Sequence, residues 1–170
     1  MGLKLFICAA LCSLFAARSF ADMDSVQYSR NSLYLEVGGV GGYGSVNFER
    51  VIYDWKNLTF AIRAGASAYH LRDYTNRINP SLVFPVAVNV HFGKNHKIEL
   101  GAGLSLTSIV YGDLSEQRKE RREDLHSHLN FGYRYQRKTK GLFFRCGYTP
   151  IFELNKSLKH WAGVSIGYSF

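Results

Sequence analysis

The sequence predicts an all-β protein: an eight-stranded antiparallel transmembrane β-barrel preceded by a cleavable signal peptide. Three observations point there. The chain opens on a short apolar leader, it then alternates apolar with small or polar residues in segment after segment, and it stops on an aromatic strand. Side chains of a strand alternate faces with period two, so such segments have one apolar and one small or polar face.

The leader is Met1 to Ala21, M-G-L-K-L-F-I-C-A-A-L-C-S-L-F-A-A-R-S-F-A. Lys4 supplies the positive start, Leu5 to Ala17 the apolar stretch, and Ser19 and Ala21 the small residues a signal peptidase reads before a cut at Asp22. Ile7 and Leu11 precede the two leader cysteines, Cys8 and Cys12, where a lipoprotein would carry a small residue. Past the leader no apolar run approaches the roughly 18 residues a spanning helix needs, and the mean hydropathy of −0.13 fits that. Residues 22–31 read as a short tail, and 32–170 as one barrel domain.

Composition narrows the class. Glycine (16) and tyrosine plus phenylalanine (11 and 12) are abundant while proline (3) is scarce, a balance that suits sheets with small inward residues and aromatic girdles. The formal charge of +8 falls slightly once Lys4 and Arg18 leave with the leader. The bases are scattered among acids, which suits a surface near anionic lipid rather than nucleic acid. Cys146 is the one cysteine after the leader, so no intrachain disulfide and no cysteine-rich metal site are expected.

Taken in order, the first strand turns Leu33, Leu35 and Val37 one way and Tyr34, Glu36 and Gly38 the other. G-G-V-G-G-Y-G, Gly38 to Gly44, then breaks or turns it. The second, Tyr43 to Ile52, puts Val46 and Phe48 outward and Ser45, Asn47 and Glu49 inward. The third, Leu58 to Tyr69, opposes Leu58, Phe60, Ile62 and Ala64 to Thr59, Ala61, Arg63 and Gly65. A polar loop, His70 to Ser81, follows. The fourth, Leu82 to Phe92, points Phe84, Val86, Val88 and Val90 outward and Pro85, Ala87, Asn89 and His91 inward. Pro85 cannot donate to a ladder, so a bulge is expected beside it.

The fifth strand, Lys97 to Val110, opposes Ile98, Leu100, Leu104 and Leu106 to Glu99, Gly101, Gly103 and Ser105. Tyr111 to Leu125 is the longest polar segment and reads as a loop, one that a protruding hairpin or helix could replace. The sixth strand, His126 to Gln136, sends Leu129, Phe131, Tyr133 and Tyr135 outward and His128, Asn130 and Arg134 inward. The seventh, Leu142 to Phe152, has Phe144, Cys146 and Tyr148 outward and Arg145, Gly147 and Thr149 inward. In the eighth, His160 to Phe170, Ala162, Val164, Ile166, Tyr168 and Phe170 share the apolar side. Strands of this length cross a bilayer when tilted. Short turns near Asp54, Asn95 and Thr139 would face the periplasm and the longer loops the cell exterior. Tyr53, Phe92, Tyr135 and Phe170 would then form one periplasmic aromatic girdle.

With those residues in place, the chain resembles the small eight-stranded outer-membrane barrels typified by OmpX and the OmpA transmembrane domain, over nearly all of Asn31 to Phe170. N-S-L-Y-L-E-V-G-G-V-G-G-Y-G-S-V-N-F-E-R, Asn31 to Arg50, resembles the opening hairpin of a Bacteroidetes-type small barrel. I-G-Y-S-F, Ile166 to Phe170, is similar to the C-terminal signal that the barrel-assembly machinery reads, with Ile166, Tyr168 and Phe170 as its alternate apolar positions. The resemblance implies a monomer in the outer membrane of a Gram-negative bacterium, in contact with lipid and lipopolysaccharide, without cofactor or nucleic acid.

Candidate chemistry sits on the inward face. Glu36, Glu49 and Glu99 face Arg63, Arg134 and Arg145 in a lumen just wide enough to be filled by side chains, where charges must be paired. A closed bracing network is expected there, a narrow channel being the alternative. His126, Ser127, His128 and Glu123 invite comparison with lipid A-modifying enzymes, but adjacent strand residues diverge, so Ser127 and its flanking histidines do not form a nucleophile and base. His91, His96 and His128 have no metal-ligand spacing. The functional expectation is a non-enzymatic barrel serving envelope integrity or surface interaction through its external loops.

Overall fold

The computed structural model describes residues 29–70, 79–113, 118–153 and 158–170; the leader, most of the expected tail and parts of the three long loops lie outside them. Among the described residues eight antiparallel strands close on themselves in chain order: β1 (Asn31–Gly38), β2 (Ser45–Trp55), β3 (Leu58–Tyr69), β4 (Ser81–Gly93), β5 (His96–Asp113), β6 (Arg118–Tyr135), β7 (Gly141–Glu153) and β8 (Lys159–Ser169). No helix among them is long and apolar enough to cross a membrane.

Alternation fixes the two faces. Leu33, Leu35 and Val37 are exposed on the outside of β1 while Tyr34 and Glu36 are buried within, and the same parity runs through the barrel wall, except in β2 past Val51, where four successive residues are exposed. One end of the barrel carries the tight turns after β2, β4 and β6 together with Asn31 and Phe170; it is called the turn end here, and the opposite rim the loop end. At the turn end Asn31 N–H donates to Phe170 O at 3.0 Å and Phe170 N–H to Asn31 O at 2.8 Å, so the last residue closes the ring. Asn31 thus belongs to β1 rather than to a tail, and Ser29 N–H is tied to Lys138 O at 3.0 Å.

Inside this seam, a side chain on Gly167 would meet Tyr34, the Leu33 carbonyl and Phe143. Gly167 therefore makes room for Tyr34 and Phe143. Gly167→Ala should cost about 1–3 kcal/mol, the usual range for overpacking, read as earlier unfolding in urea; a variant as stable as the parent would show that the seam can relax.

Three features differ from the sequence expectation. Pro85 causes no bulge: its pairing with Ser105 on β5 stays in register, and the ladder to β3 lapses between Ala64↔Val86 and Ser67↔Val83 without a shift. Gly65 leaves room for the ring, since a Cβ there would stand 3.0 Å from Pro85 Cγ. The bulge lies instead in β2, where register with β3 shifts between Val51 and Tyr53. The third difference is the segment read as a loop from Tyr111 to Leu125. β5 and β6 stay paired from Ile109↔Arg122 to Asp113↔Arg118, while β4 pairing stops at Ser108 and β7 pairing at His126. A two-stranded ribbon therefore extends about 17 Å along its own axis past its neighbours, at 3.3–3.4 Å per residue. Arg121 fastens its base, donating to Ser108 Oγ at 3.0 Å, Asn79 Oδ1 at 2.9 Å and Pro80 O at 3.4 Å.

At the loop end β1 and β2 are joined by a 3-10 turn, Gly39–Gly41, whose three residues are all buried. Gly38, Gly39 and Gly42 hold φ of 79°, 69° and 77°, a region that disfavours side chains. The glycine run thus folds the connection inward, with Val40 only 5% exposed.

Candidate functional site

The lumen is where charge concentrates. Period-two parity brings one or two polar side chains inward from each strand at mid-height: Glu36 from β1, Glu49 from β2, Arg63 from β3, Asn89 and His91 from β4, Glu99 from β5, Asn130 and Arg134 from β6, Arg145 from β7 and Ser165 from β8. The three acids and three arginines are each at most 3% exposed.

They form one chain of alternating sign. Arg134 grips Glu49 with both terminal nitrogens, at 2.5 and 3.2 Å, and reaches Glu99 through Nε at 3.1 Å. Arg145 donates from Nε to the other oxygen of Glu99 at 2.8 Å and from Nη1 to Glu36. Arg63 ends the series, donating to the second Glu36 oxygen at 3.2 Å. The order is therefore Glu49–Arg134–Glu99–Arg145–Glu36–Arg63. Neutral donors complete the carboxylates: Asn89 Nδ2 to Glu49 at 2.9 Å and Asn130 Nδ2 to Glu99 at 2.5 Å.

Glu99 occupies the critical place. Arg134 and Arg145 are direct register partners on β6 and β7. Like charges directly opposite one another destabilise a sheet, and Glu99 bridges the two guanidinium groups with one oxygen each. Charge-assisted hydrogen bonds are also the stronger kind.

Aromatic rings fill the centre. The Tyr34 ring lies 6.0, 5.9 and 5.8 Å from the guanidinium carbons of Arg63, Arg134 and Arg145. Phe143 meets Tyr34 edge-on at 5.6 Å and stands 4.8 Å from Arg134. A ring face attracts a cation, so the aromatics pack the space between arginines without repelling them. Tyr34 carried the inward parity from the start. Phe143 was hidden within the apolar run Leu142-Phe143-Phe144, where hydrophobicity alone gives no parity; only the position of Arg145 two residues on reveals that it faces inward.

The other sequence-singled residues fall elsewhere. Ser127 is exposed on the outer face, while His126 and His128 turn inward. His128 Nδ1 lies 3.3 Å from the Ser105 hydroxyl, its one hydrogen-bond partner among the described residues, and no carboxylate orients that pair. His91 is buried with Nε2 3.8 Å from Glu49 and 3.6 Å from Glu99, whereas His96 sits outside against the Tyr133 hydroxyl at 2.5 Å. No group of three or more potential metal ligands occurs among the described residues. Tyr53, Phe92 and Phe170 are exposed at the turn end, and Tyr135 is half-buried there, tilted against His96 with ring centroids 5.0 Å apart. Ile166, Tyr168 and Phe170 all point outward, with Ile166 and Tyr168 paired to Leu35 and Leu33 of β1.

Comparison with solved structures returns the N-terminal β-barrel domain of Pseudomonas aeruginosa OprF, with a TM-score of 0.56 and 17% identity, covering 85% of this chain and 100% of that one. The chain has the fold of the small eight-stranded outer-membrane barrels. Neisserial surface protein A (NspA) is also returned, with a TM-score of 0.45 and 13% identity over 84% of this chain and 96% of that one. No family model and no curated protein matches the sequence.

Within this fold the charge chain lies between two cavities. One, of about 260 Å³, opens at the loop end over Val40 and is walled by Tyr43, Tyr69 and Trp161. The other, of about 380 Å³, opens at the turn end beside Ser29 and Arg30. Between them the lumen is occupied by the packed ions and rings.

Proposed function

We propose that the protein is a non-enzymatic, closed barrel of the outer membrane of a Gram-negative bacterium, serving envelope integrity or surface interaction through the parts that extend beyond the bilayer. The observation that carries this is the inversion of the barrel: its exterior is apolar and its interior ionic. Val37, Ile98, Leu142 and Val164 are each more than 60% exposed on the outer face. A contiguous apolar exterior of that kind is unfavourable in water and satisfied in lipid, and a closed sheet leaves no backbone edge unpaired there.

The ionic interior supports bracing rather than transport. Passage would require the Glu49–Arg134–Glu99–Arg145–Glu36 chain to part, and truncating one partner of a buried pair costs several kcal/mol. Fused into planar bilayers, the protein should give no sustained conductance across either polarity of applied voltage. Discrete, reproducible openings would favour the narrow channel instead. Ser127 and the inward histidines diverge, which argues against lipid A chemistry; unchanged lipid A mass spectra from cells with and without the protein would agree.

Contacts with the surroundings fall to the β5–β6 ribbon. It stands on a rigid barrel, is fastened at its base by Arg121, and presents strand edges without barrel neighbours. Loops and arms held on a rigid scaffold are where binding function concentrates. The same reading puts assembly with Ile166, Tyr168 and Phe170, and has the barrel act as a monomer among lipids and lipopolysaccharide.

A further inference from the structure

The cavity at the turn end is lined by an excess of positive charge. Lys97, the second residue of β5, points inward and is only 7% exposed; Glu49 and Asp54 act on its charge from a distance, and no described carboxylate makes a direct ion pair with it. Its neighbour in register, Arg134, has its own charge taken by Glu49 and Glu99. An anion entering the cavity would give that ammonium the direct partner that the distant acids do not. Arg30, Arg137 and Lys138 add further positive charge to the same lining, and Asp54 is its one acid, already accepting from Thr59 at 2.8 Å.

The second feature is the wall. Val51, Ile52 and Tyr53 line the cavity at the register shift of β2. Ile52 and Tyr53 are both more than half exposed, so the wall joins the apolar exterior of the barrel. Bulges recur at barrel rims, where they re-aim side chains. The third feature is the roof: Lys138 Nζ donates to Lys56 O at 3.2 Å, tying the turn after β6 to the turn after β2. The result is a cationic cup with one apolar side.

We propose that this cup binds the phosphate of an anionic phospholipid headgroup, with Lys97 as the buried counter-charge and Ile52 and Tyr53 against the start of an acyl chain. The proposal rests on the membrane reading above. A soluble anion would satisfy Lys97 equally but would make no use of the apolar wall; a lipid uses both. Anionic headgroups are drawn to such basic clusters at a membrane surface.

The test uses the refolded protein in a phosphate-free zwitterionic detergent, titrated with dihexanoylphosphatidylglycerol or with inorganic phosphate and followed by calorimetry. Saturable binding of the lipid is expected, with Lys97→Gln and the exposed-site variant Arg137→Gln each weakening it at least about tenfold, as loss of a charge-assisted contact does. Arg137→Gln should keep the heat-modified gel mobility of the parent, which separates lost binding from lost folding. Equal affinity for inorganic phosphate would overturn the lipid assignment. No saturable binding to a barrel that keeps its heat-modified mobility would overturn the site itself. Failure of the parent chain to show that mobility would overturn the membrane reading beneath it.

Discussion

Replacing Glu99 by Gln should lower the unfolding free energy of the barrel by about 3–5 kcal/mol, the cost of taking one partner out of a buried ion pair. The size follows from position. Glu99 is the one carboxylate that separates Arg134 from Arg145, which face each other directly across β6 and β7. An amide can still accept from one of them, but it cannot neutralise either. Arg63→Ala should cost less, about 1.5–3 kcal/mol for one charged hydrogen bond, because Arg63 ends the chain of ions and Glu36 is the one carboxylate it bonds among the described residues. Urea titration in detergent, followed by tryptophan fluorescence, ranks the two. Adding Arg145→Met to Glu99→Gln should recover part of the loss by removing the stranded cation. A Glu99→Gln barrel within 1 kcal/mol of the parent would mean that the arginines find other partners, and the bracing role would fail.

Deleting Phe170 should sharply reduce the amount of barrel in the membrane fraction of expressing cells. Two effects act together. On the proposed reading of Ile166, Tyr168 and Phe170 as an assembly signal, the machinery would recognise this aromatic. The structure adds a mechanical part, since Phe170 exchanges both backbone hydrogen bonds with Asn31 and so completes the β1–β8 seam. Two backbone bonds at 0.5–1.5 kcal/mol each amount to about 1–3 kcal/mol of stability. The truncated chain refolded in detergent should therefore retain heat-modified mobility but unfold at lower urea. Phe170→Ala keeps the backbone and should lose insertion with little loss of stability. Normal membrane yield for both variants would remove the assembly role from this residue.

Much of the barrel was legible because one face of nearly every strand is apolar. Leu33-Tyr34-Leu35-Glu36 and Ile98-Glu99-Leu100 give parity outright, and parity decides which residues enter the lumen. What parity cannot give is who meets whom. Glu36 and Arg145 are 109 residues apart, and Glu49 and Arg134 85 apart, so their meeting depends on the tilt and stagger of the closed sheet. The ribbon beyond Val110 stayed undecided between loop and protruding hairpin for a related reason. Arg118 to Asp124 has no apolar face, so nothing in its pattern separates strand from loop; its pairing comes from continuity with the barrel below. Pro85 misled because its missing donor suggested a bulge, when a gap in the β3 ladder was enough.

The ionic chain in the lumen also bears on how the barrel finds its correct form. Sliding any strand by two residues preserves its apolar and polar faces, so lipid and water cannot tell the slipped sheet from the true one. The carboxylates can. A two-residue slip of β5 would carry Glu99 away from the gap between Arg134 and Arg145 and leave buried charges of one sign together. The charges thus penalise those mispairings that hydrophobic patterning lets through, and they do so only when distant parts of the chain, β1 with β7 and β2 with β6, have come together.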